Sequence, residues 1–160
     1  MKAQLVLLWP GRTTAEYARA GISDYLERIR RYRPCRVLRV AAERHDGHYS
    51  AAHRVEREGV AILRRIDAVS ASHVVALDAA GELVSSRRLA ELVRLEGIEA
   101  GRNMVFVLGG PDGLSSGVLK RADRRIGLSR MTLPHDMARL VLTEQIYRAL
   151  TIIHRHPYDR

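Results

Sequence analysis

The ten residues MVFVLGGPDG, positions 104–113, decide the predicted fold. The first five are apolar throughout, which is typical of a strand buried on both faces of a parallel sheet. Gly109, Gly110 and Gly113 follow at once, and glycine allows positive φ and a close approach of backbone to a ligand. Their spacing matches neither the dinucleotide fingerprint nor a P-loop. The loop therefore predicts either a ligand-binding turn or a plain turn.

Strand and helix patterns alternate on both sides of this stretch. The predicted strands are 5–8, 37–40, 73–77, 104–108 and 126–128, and the predicted helices are 13–31, 50–67, 86–96, 115–122 and 136–154. Thr13 and Glu16 fit a capping box at the first helix, and residues 78–81 read as a turn. Five alternations predict an α/β fold, a mainly parallel sheet with helices on both faces. Ligands in such folds bind beyond the carboxyl ends of the strands, here after 77, 108 and 128.

The length of 160 residues, with 46% hydrophobic and 28% charged residues, predicts one globular domain over 1–160. The single cysteine, Cys35, excludes an intrachain disulfide and favours a reducing cytoplasm. We expect it to be a buried structural thiol. The short apolar run near the N-terminus is not typical of a signal peptide, and no run approaches the length of a membrane span.

Basic residues exceed acidic ones by 27 to 18, a net charge of +9, and almost all of them are arginine. Arginine matches phosphate geometry, so the excess favours a nucleic-acid partner. A GC-rich genome that prefers arginine codons is the alternative. Two clusters favour the first interpretation. They comprise Arg28, Arg30, Arg31, Arg33, Arg36 and Arg39, and then Lys120, Arg121, Arg124, Arg125 and Arg130.

The segment MTLPHDMAR, positions 131–139, joins the last strand to the last helix. Pro134 ends the strand, and His135 comes at the helix start, where the helix dipole favours anions. Arg139 lies one turn further along the same face. The pair could hold an anionic or enolate-like group. The alternative is a capping histidine and a surface salt bridge.

Two further patterns were weighed. His45 and His48 lack the additional ligands of a metal site, so no metal is predicted. The last helix is apolar nearly all round, which predicts either a subunit interface or a deeply buried helix.

Taken together, several stretches resemble one family along the whole chain. They are the opening MKAQLVLL, VVALDAAG (74–81), FVLGGPDGLS (106–115), LSRMTLPHDMARLVLTEQIYRA (128–149) and the tail HPYDR (156–160). The chain resembles the large-subunit rRNA pseudouridine N3-methyltransferases, the RlmH group of the SPOUT class. The combination of the glycine loop, T-x-P-H-x-x-x-R and the terminal H-P-Y is specific, whereas any one of them alone is not.

The resemblance implies a C-terminal deep trefoil knot and a homodimer packed through the knotted region. It implies S-adenosylmethionine (SAM) as methyl donor, and a pseudouridine in a stem-loop of 23S rRNA, within the assembled ribosome, as substrate. By matching motif, the cofactor-binding positions are Leu77, Gly109, Leu128, Ser129, Arg130, Met131, Thr132 and Leu133.

The resemblance also suggests catalytic roles. His135 would accept the N3 proton, Arg139 would stabilise charge on the uracil oxygens, and His156 and Tyr158 would fold over the base. Glu144 could orient Arg139.

The sequence departs from its relatives in two places. The segment Trp9-Pro10-Gly11-Arg12 stands where relatives have Gly-Lys, and Asp159 stands where they have histidine. Two other functions stay open. One is a different SPOUT enzyme that acts on tRNA or on uridine, and the other is a ribosome-associated factor without activity.

Overall fold

The computed structural model describes residues 3–158. Its centre is a five-stranded parallel sheet in the order β2-β1-β4-β3-β5. The strands are β1 (Leu5–Pro10), β2 (Cys35–Val40), β3 (Ser72–Leu83), β4 (Asn103–Leu108) and β5 (Arg124–Gly127). Met104 to Val107 lie in the middle strand and are wholly buried, so the apolar run at 104–108 is confirmed as the core of the sheet.

Helices cover both faces of the sheet, as the alternating pattern predicts. They are α1 (Glu16–Arg30), α2 (Ala51–Asp67), α3 (Ser86–Leu92), α4 (Ser116–Arg121) and α5 (His135–Ile153), and α3 continues into a π-helical segment, Val93–Glu99. One core packs α1, α3 and α5 against the sheet, for example through Ile22, Leu89 and Leu142. The other packs α2 and α4 through Ile62 and Val118.

The turn predicted at 78–81 lies inside a longer strand. Leu77 and Glu82 both pair with Ile126, so the four residues between them bulge out of the ladder. At Gly81 an added Cβ would lie 2.6 Å from the carbonyl carbon of Ile126. The strand prediction ended at 77 because the intervening Asp-Ala-Ala-Gly has turn composition, although pairing resumes beyond it.

The predicted capping box at Thr13 and Glu16 is wrong. The N-cap of α1 is Ala15, which has no side-chain cap. The backbone N–H groups of Thr14 and Ala15 instead donate to the carboxylate of Asp136, at 3.1 and 2.9 Å. A distant acid therefore satisfies the helix start, which a local sequence pattern cannot reveal.

Helix α5 is buried largely within the chain. Helices α1 and α3 pack on it, and Leu142, Ile146 and Leu150 are fully buried. The deeply buried helix therefore accounts for much of the apolar excess. The homodimer and the trefoil knot stay predictions, and Asp159 lies outside the described residues. Within residues 3–158 no helix has the length and hydropathy to span a bilayer.

Candidate cofactor and active site

A cavity of about 300 Å³ opens at the carboxyl ends of β3, β4 and β5. All eight predicted cofactor positions line it, together with His135. They come from three strand ends that are adjacent in the sheet, so the parallel topology brings them together. Small-ligand sites in proteins begin at about this volume.

The glycine loop forms one wall of the cavity by folding tightly on itself. The N–H of Gly113 donates to the carbonyl of Gly110 at 3.0 Å, and Gly113 adopts φ +86°. A Cβ on Gly109 would lie 2.5 Å from the carbonyl carbon and oxygen of Gly113. Only glycine fits this position, because the conflict is with backbone rather than with a side chain that can move.

Helix α2 supports the loop from behind. Arg54 donates through Nε and Nη2 to the two carboxylate oxygens of Asp112, at 2.9 and 3.4 Å, and this bond lowers the pKa of Asp112. Glu58 is buried behind Gly110 and accepts the N–H of Glu43 at 3.0 Å. The burial raises the pKa of Glu58. The loop is therefore held in one shape before any ligand arrives.

The opposite wall is the segment 128–133. The Ser129 hydroxyl accepts the N–H of Met131 at 2.9 Å, which turns the backbone within the segment. Met131 is 77% exposed, so the segment presents an apolar side chain to solvent beside the cavity. His135 follows after Pro134, with its side chain 42% exposed.

Behind His135, Arg139 lies in a buried polar network. Its Nη2 donates to the Pro10 carbonyl at 2.6 Å, and its Nη1 donates to the Thr13 hydroxyl at 3.1 Å and to Asp136 at 3.3 Å. The guanidinium also lies 5.2 Å from the centre of the Trp9 ring. Arg139 is only 2% exposed and does not line the cavity, so the alternative of a surface salt bridge is wrong.

Asp136 joins three parts of the molecule. It caps α1, pairs with Arg139, and its Oδ1 lies 3.5 Å from Nε2 of His135. Burial acts to raise its pKa, but the N–H groups of Ala15 and Thr14 and the nearby positive charges outweigh burial and leave the pKa below its usual value. Burial lowers the pKa of Arg139, against the opposing effect of Asp136. The two charges compensate each other inside the protein.

The predicted catalytic groups of the tail lie elsewhere. The Tyr158 hydroxyl donates to Glu144 at 3.1 Å and lies 3.2 Å from the Tyr25 hydroxyl. Burial, followed by the contacts with Tyr25 and Glu144, raises the pKa of Tyr158. His156 lines a second cavity of about 350 Å³ with Tyr32 and Tyr147.

These groups follow the carboxyl end of α5, whereas His135 begins the helix. The tail then folds back, and the Tyr158 hydroxyl reaches Glu144, nine residues or about 13 Å of helix rise from His135. The structure therefore brings the cofactor positions and His135 together, but not His156 and Tyr158.

The suggested contact between Glu144 and Arg139 is wrong. Glu144 accepts from Nη2 of Arg148 at 2.8 Å and from the Tyr158 hydroxyl. Asp136, three residues from Arg139, takes that role instead. The residue spacing allowed either acid, and only the packing of α5 on the loop after β1 distinguishes them.

Several lining residues are not among the eight predicted cofactor positions, although Gly110 and Gly113 belong to the glycine loop singled out in the sequence. They are Asp78, Ala79, Leu108, Gly110, Pro111, Gly113, Leu114 and Ala138. Asp78 is the one acid among the lining residues, and its carboxylate is 2.6 Å from Arg125 on β5. Its place directly after the buried part of β3 was the available signal, because side chains at strand ends face the ligand edge.

Two minor predictions can also be assessed. Cys35 is buried as expected, and burial raises its pKa to about 12. His45 lies 3.5 Å from Asp112, and in the described part of the chain no three metal-ligating side chains cluster as a metal site would need.

Comparison with known proteins gives consistent results. The sequence profile of the family described as "Predicted SPOUT methyltransferase" matches residues 1–159. A protein of Syntrophotalea carbinolica named "Ribosomal RNA large subunit methyltransferase H" is 41% identical over 155 residues, which cover 97% of each chain. A protein of the same name from Alkaliphilus oremlandii is 35% identical over 159 residues, which cover 98% of this chain and 99% of the relative.

Solved structures agree on the fold. A probable methylase family protein from Haemophilus influenzae has a TM-score of 0.57 at 14% identity, covering 99% of this chain and 70% of that one. The TrmH/SpoU tRNA modifying enzyme of A. aeolicus has a TM-score of 0.53 at 14% identity, covering 98% and 79%. At this identity the likeness concerns the backbone architecture alone.

Proposed function

The chain belongs to the SPOUT methyltransferase family, and from that premise we propose that it transfers a methyl group from SAM to N3 of a pseudouridine in a stem-loop of 23S rRNA. The observation that carries the proposal is the cavity at three strand ends, lined by every position that the motifs assign to the cofactor. The name shared by the curated relatives supports large-subunit ribosomal RNA as the substrate.

The residues that line the cavity support SAM as its ligand. A Cβ on Gly109 would collide with the loop backbone, so this wall is built from bare backbone that can lie against a flat ligand. Leu77, Leu128 and Leu133 supply apolar contact, and Asp78 and Arg130 supply one charge of each sign. When bound, SAM supplies an electrophilic methyl carbon on a sulfonium.

The protein's own groups then have to orient the base and remove a proton. Pseudouridine N3 is attached to hydrogen, so methylation there requires a proton acceptor. His135 lines the cavity and is partly exposed, which places an imidazole within reach of both a ligand and an incoming base. We assign it the role of accepting the N3 proton, directly or through a water.

Arg139 acts on this site through other groups. Both of its terminal nitrogens bind inside the protein, to Pro10, Thr13 and Asp136. These bonds tie the start of α5 to the loop after β1, so we propose Arg139 as a positioning residue for His135. The contact of its guanidinium with the base stays a prediction.

His156 and Tyr158 complete the site only if they come from a second copy. Within one chain the Tyr158 hydroxyl contacts Glu144, nine residues along α5 from His135, and neither His156 nor Tyr158 lines the cavity. A two-fold homodimer in which two copies of α5 pack head to tail would bring the tail of one copy to the cavity of the other. We propose this arrangement for the active dimer, in the cytoplasm where ribosomes are found.

Transfer of labelled methyl from SAM to ribosomes tests the function. The acceptor is ribosomes from a strain that lacks this protein, and the expected product is methylated 23S rRNA at one stem-loop. Ribosomes that lack pseudouridine should accept no label. Label in tRNA, or equal label in ribosomes without pseudouridine, would overturn the substrate assignment.

Calorimetry separates the enzyme from an inactive ribosome-associated factor. Saturable binding of SAM with one cavity per chain, or one per dimer, supports the enzyme. Absence of SAM binding would overturn the proposed cofactor and the function with it.

A further inference from the structure

Part of the two arginine clusters seen in the sequence has partners within the fold. Arg28 and Arg31 pair with Asp24 and Glu27 on α1. Arg30 and Arg33 donate to the carbonyls of Cys35 and Ala3. Clustering in the sequence alone therefore does not show which cations are free to bind a ligand.

Three other arginines are exposed at the carboxyl edge of the sheet. Arg12 follows β1, Arg44 follows β2 and Arg130 follows β5. None of the three side chains has an ion pair or hydrogen bond among residues 3–158. We call these three residues the arginine rim. Because β4 and β3 lie between β1 and β5, the rim lies on both sides of the cavity.

Four acids at this edge do not cancel the rim, because each is paired with another cation. Glu43 pairs with Arg57, Asp78 with Arg125, Asp112 with Arg54 and Asp136 with Arg139. Asp46 accepts the N–H of His48 in the exposed loop after β2, and Glu58 is buried. The three rim arginines therefore carry unpaired positive charge around the cavity mouth.

The rim spans a length suited to a nucleic-acid strand. Four strand spacings separate β2 from β5, which is about 19 Å. A single strand presents several phosphates over that length, and arginine forks bind phosphate in pairs of hydrogen bonds. An acidic protein surface would offer carboxylates without this regular spacing.

We propose that the arginine rim binds the phosphate backbone of the substrate RNA on both sides of the target base, and that Arg12 and Arg44 form its outer part. The inference rests on the proposed function for the identity of the RNA. It goes beyond that function in assigning RNA binding to Arg12 and Arg44, which lie outside both sequence clusters.

The test compares two double variants that remove equal charge. Arg12→Ala with Arg44→Ala removes the outer rim. Arg64→Ala with Arg65→Ala is the matched control, since both arginines are exposed near the end of α2 at the opposite edge of the sheet. The probe is a fluorescent twelve-residue oligouridylate, and its affinity is measured by anisotropy from 50 to 200 mM KCl. Calorimetry with SAM confirms that each variant keeps its cavity.

The rim variant should bind the probe at least threefold more weakly than the control. The slope of log K against log salt should fall by about 0.7 for each lost phosphate contact, or about 1.4 in total. Equal behaviour of the two variants, or no binding of the probe by the unaltered protein, would overturn the proposal. A rim variant that keeps probe binding but loses methylation of ribosomes would also overturn it, in favour of an acidic protein surface.

Methylation of ribosomes in the same preparations keeps the two proposals apart. If the unaltered protein binds the probe through the rim but transfers no methyl, the proposed function fails and the rim stands. If both double variants methylate ribosomes as well as the unaltered protein at low ribosome concentration, the rim fails and the function stands.

Discussion

The start of α5 and its C-terminal half have different surroundings. At its start, His135 is exposed beside an open cavity, while Asp136 and Arg139 are buried together behind it. In its C-terminal half, the ring of Tyr158 packs on Tyr147, with ring centres 4.7 Å apart. The guanidinium of Arg148 lies 4.8 Å from the centre of the Tyr158 ring.

In the proposed dimer, each of these two regions supplies half of one site. The start of the helix has the glycine backbone and the proton acceptor, but no aromatic group to stack on a base. The end has the aromatic groups, but no glycine wall. In the proposed dimer, the two groups of residues come together between chains.

The largest effect is expected at the glycine wall. Gly109→Ala would force Cβ against the backbone of Gly113, so the loop must move away from the cavity. We expect SAM affinity to fall roughly 100-fold or more, about 2.7 kcal/mol, by calorimetry. Gly117→Ala is the control, because its Cβ would meet only side-chain atoms, the nearest at 3.5 Å. A similar loss of SAM affinity in both variants would mean that SAM binding does not depend on the shape of the glycine loop.

Whether two chains together form one active site can be tested by mixing two inactive variants. His135→Ala and Tyr158→Ala should each lower methyl transfer, the first by roughly 10²–10⁴ through loss of a proton acceptor. Chains of the two variants, unfolded together and refolded in equal amounts, should recover about a quarter of the normal activity, because half of the dimers are mixed and each has one intact site. Recovery is measured as label transferred to ribosomes.

The opposite result of mixing is equally informative. If the mixture stays as inactive as its parts, the tail acts within its own chain or does not act at all. In the control, His135→Ala chains are refolded alone in the same way. Their dimers contain no intact site and should recover no methyl transfer.

The sequence predicted the half of the site that depends on strand ends. An apolar run followed by glycines fixes both the middle strand and the loop beyond it, since burial and backbone freedom are local properties. The positions Leu77 and Gly109 could therefore be placed at one edge without a structure. The bulge after Leu77 could not, because strand pairing resumes only through contact with Ile126.

The buried network around Asp136 and Arg139 could not be predicted from the sequence, for a different reason. Asp136 caps a helix more than 120 residues earlier, and Arg139 binds a carbonyl on β1. Such contacts depend on how α5 crosses α1, and no periodicity encodes that crossing. The resemblance identified His135 and Arg139 as important, but only the packing shows that one is open and the other enclosed.

The enclosed arginine is expected to affect stability rather than cofactor binding. Arg139→Ala would leave Asp136 buried beside the vacated space and the Pro10 carbonyl without its donor. We expect the free energy of unfolding to fall by about 3 kcal/mol in urea titrations. Arg148→Ala at the other end of α5 removes a partly buried pair with Glu144 and should cost about 1 kcal/mol. Equal losses of unfolding free energy in the two variants would mean that the two ion pairs on α5 contribute equally to stability.

The smallest effect concerns the charge of Asp136. In Asp136→Asn the amide oxygen can still accept from Thr14 and Ala15, but an NH2 group replaces the oxygen that accepts from Arg139. The charge and that hydrogen bond are both lost, and we expect a cost of about 1 kcal/mol at pH 7. The pKa of Asp136 lies below its usual value in the folded protein, so its stabilisation is fully present above about pH 4 and is lost as pH falls through the folded pKa. The variant should therefore show a flatter decline in unfolding free energy below pH 4 than the unaltered protein, measured by urea titration at each pH. Asp46→Asn, whose carboxylate accepts one N–H in an exposed loop, should leave that decline unchanged. An Asp136→Asn variant with an undiminished acid dependence would show that the cap and the Arg139 pair do not depend on this charge.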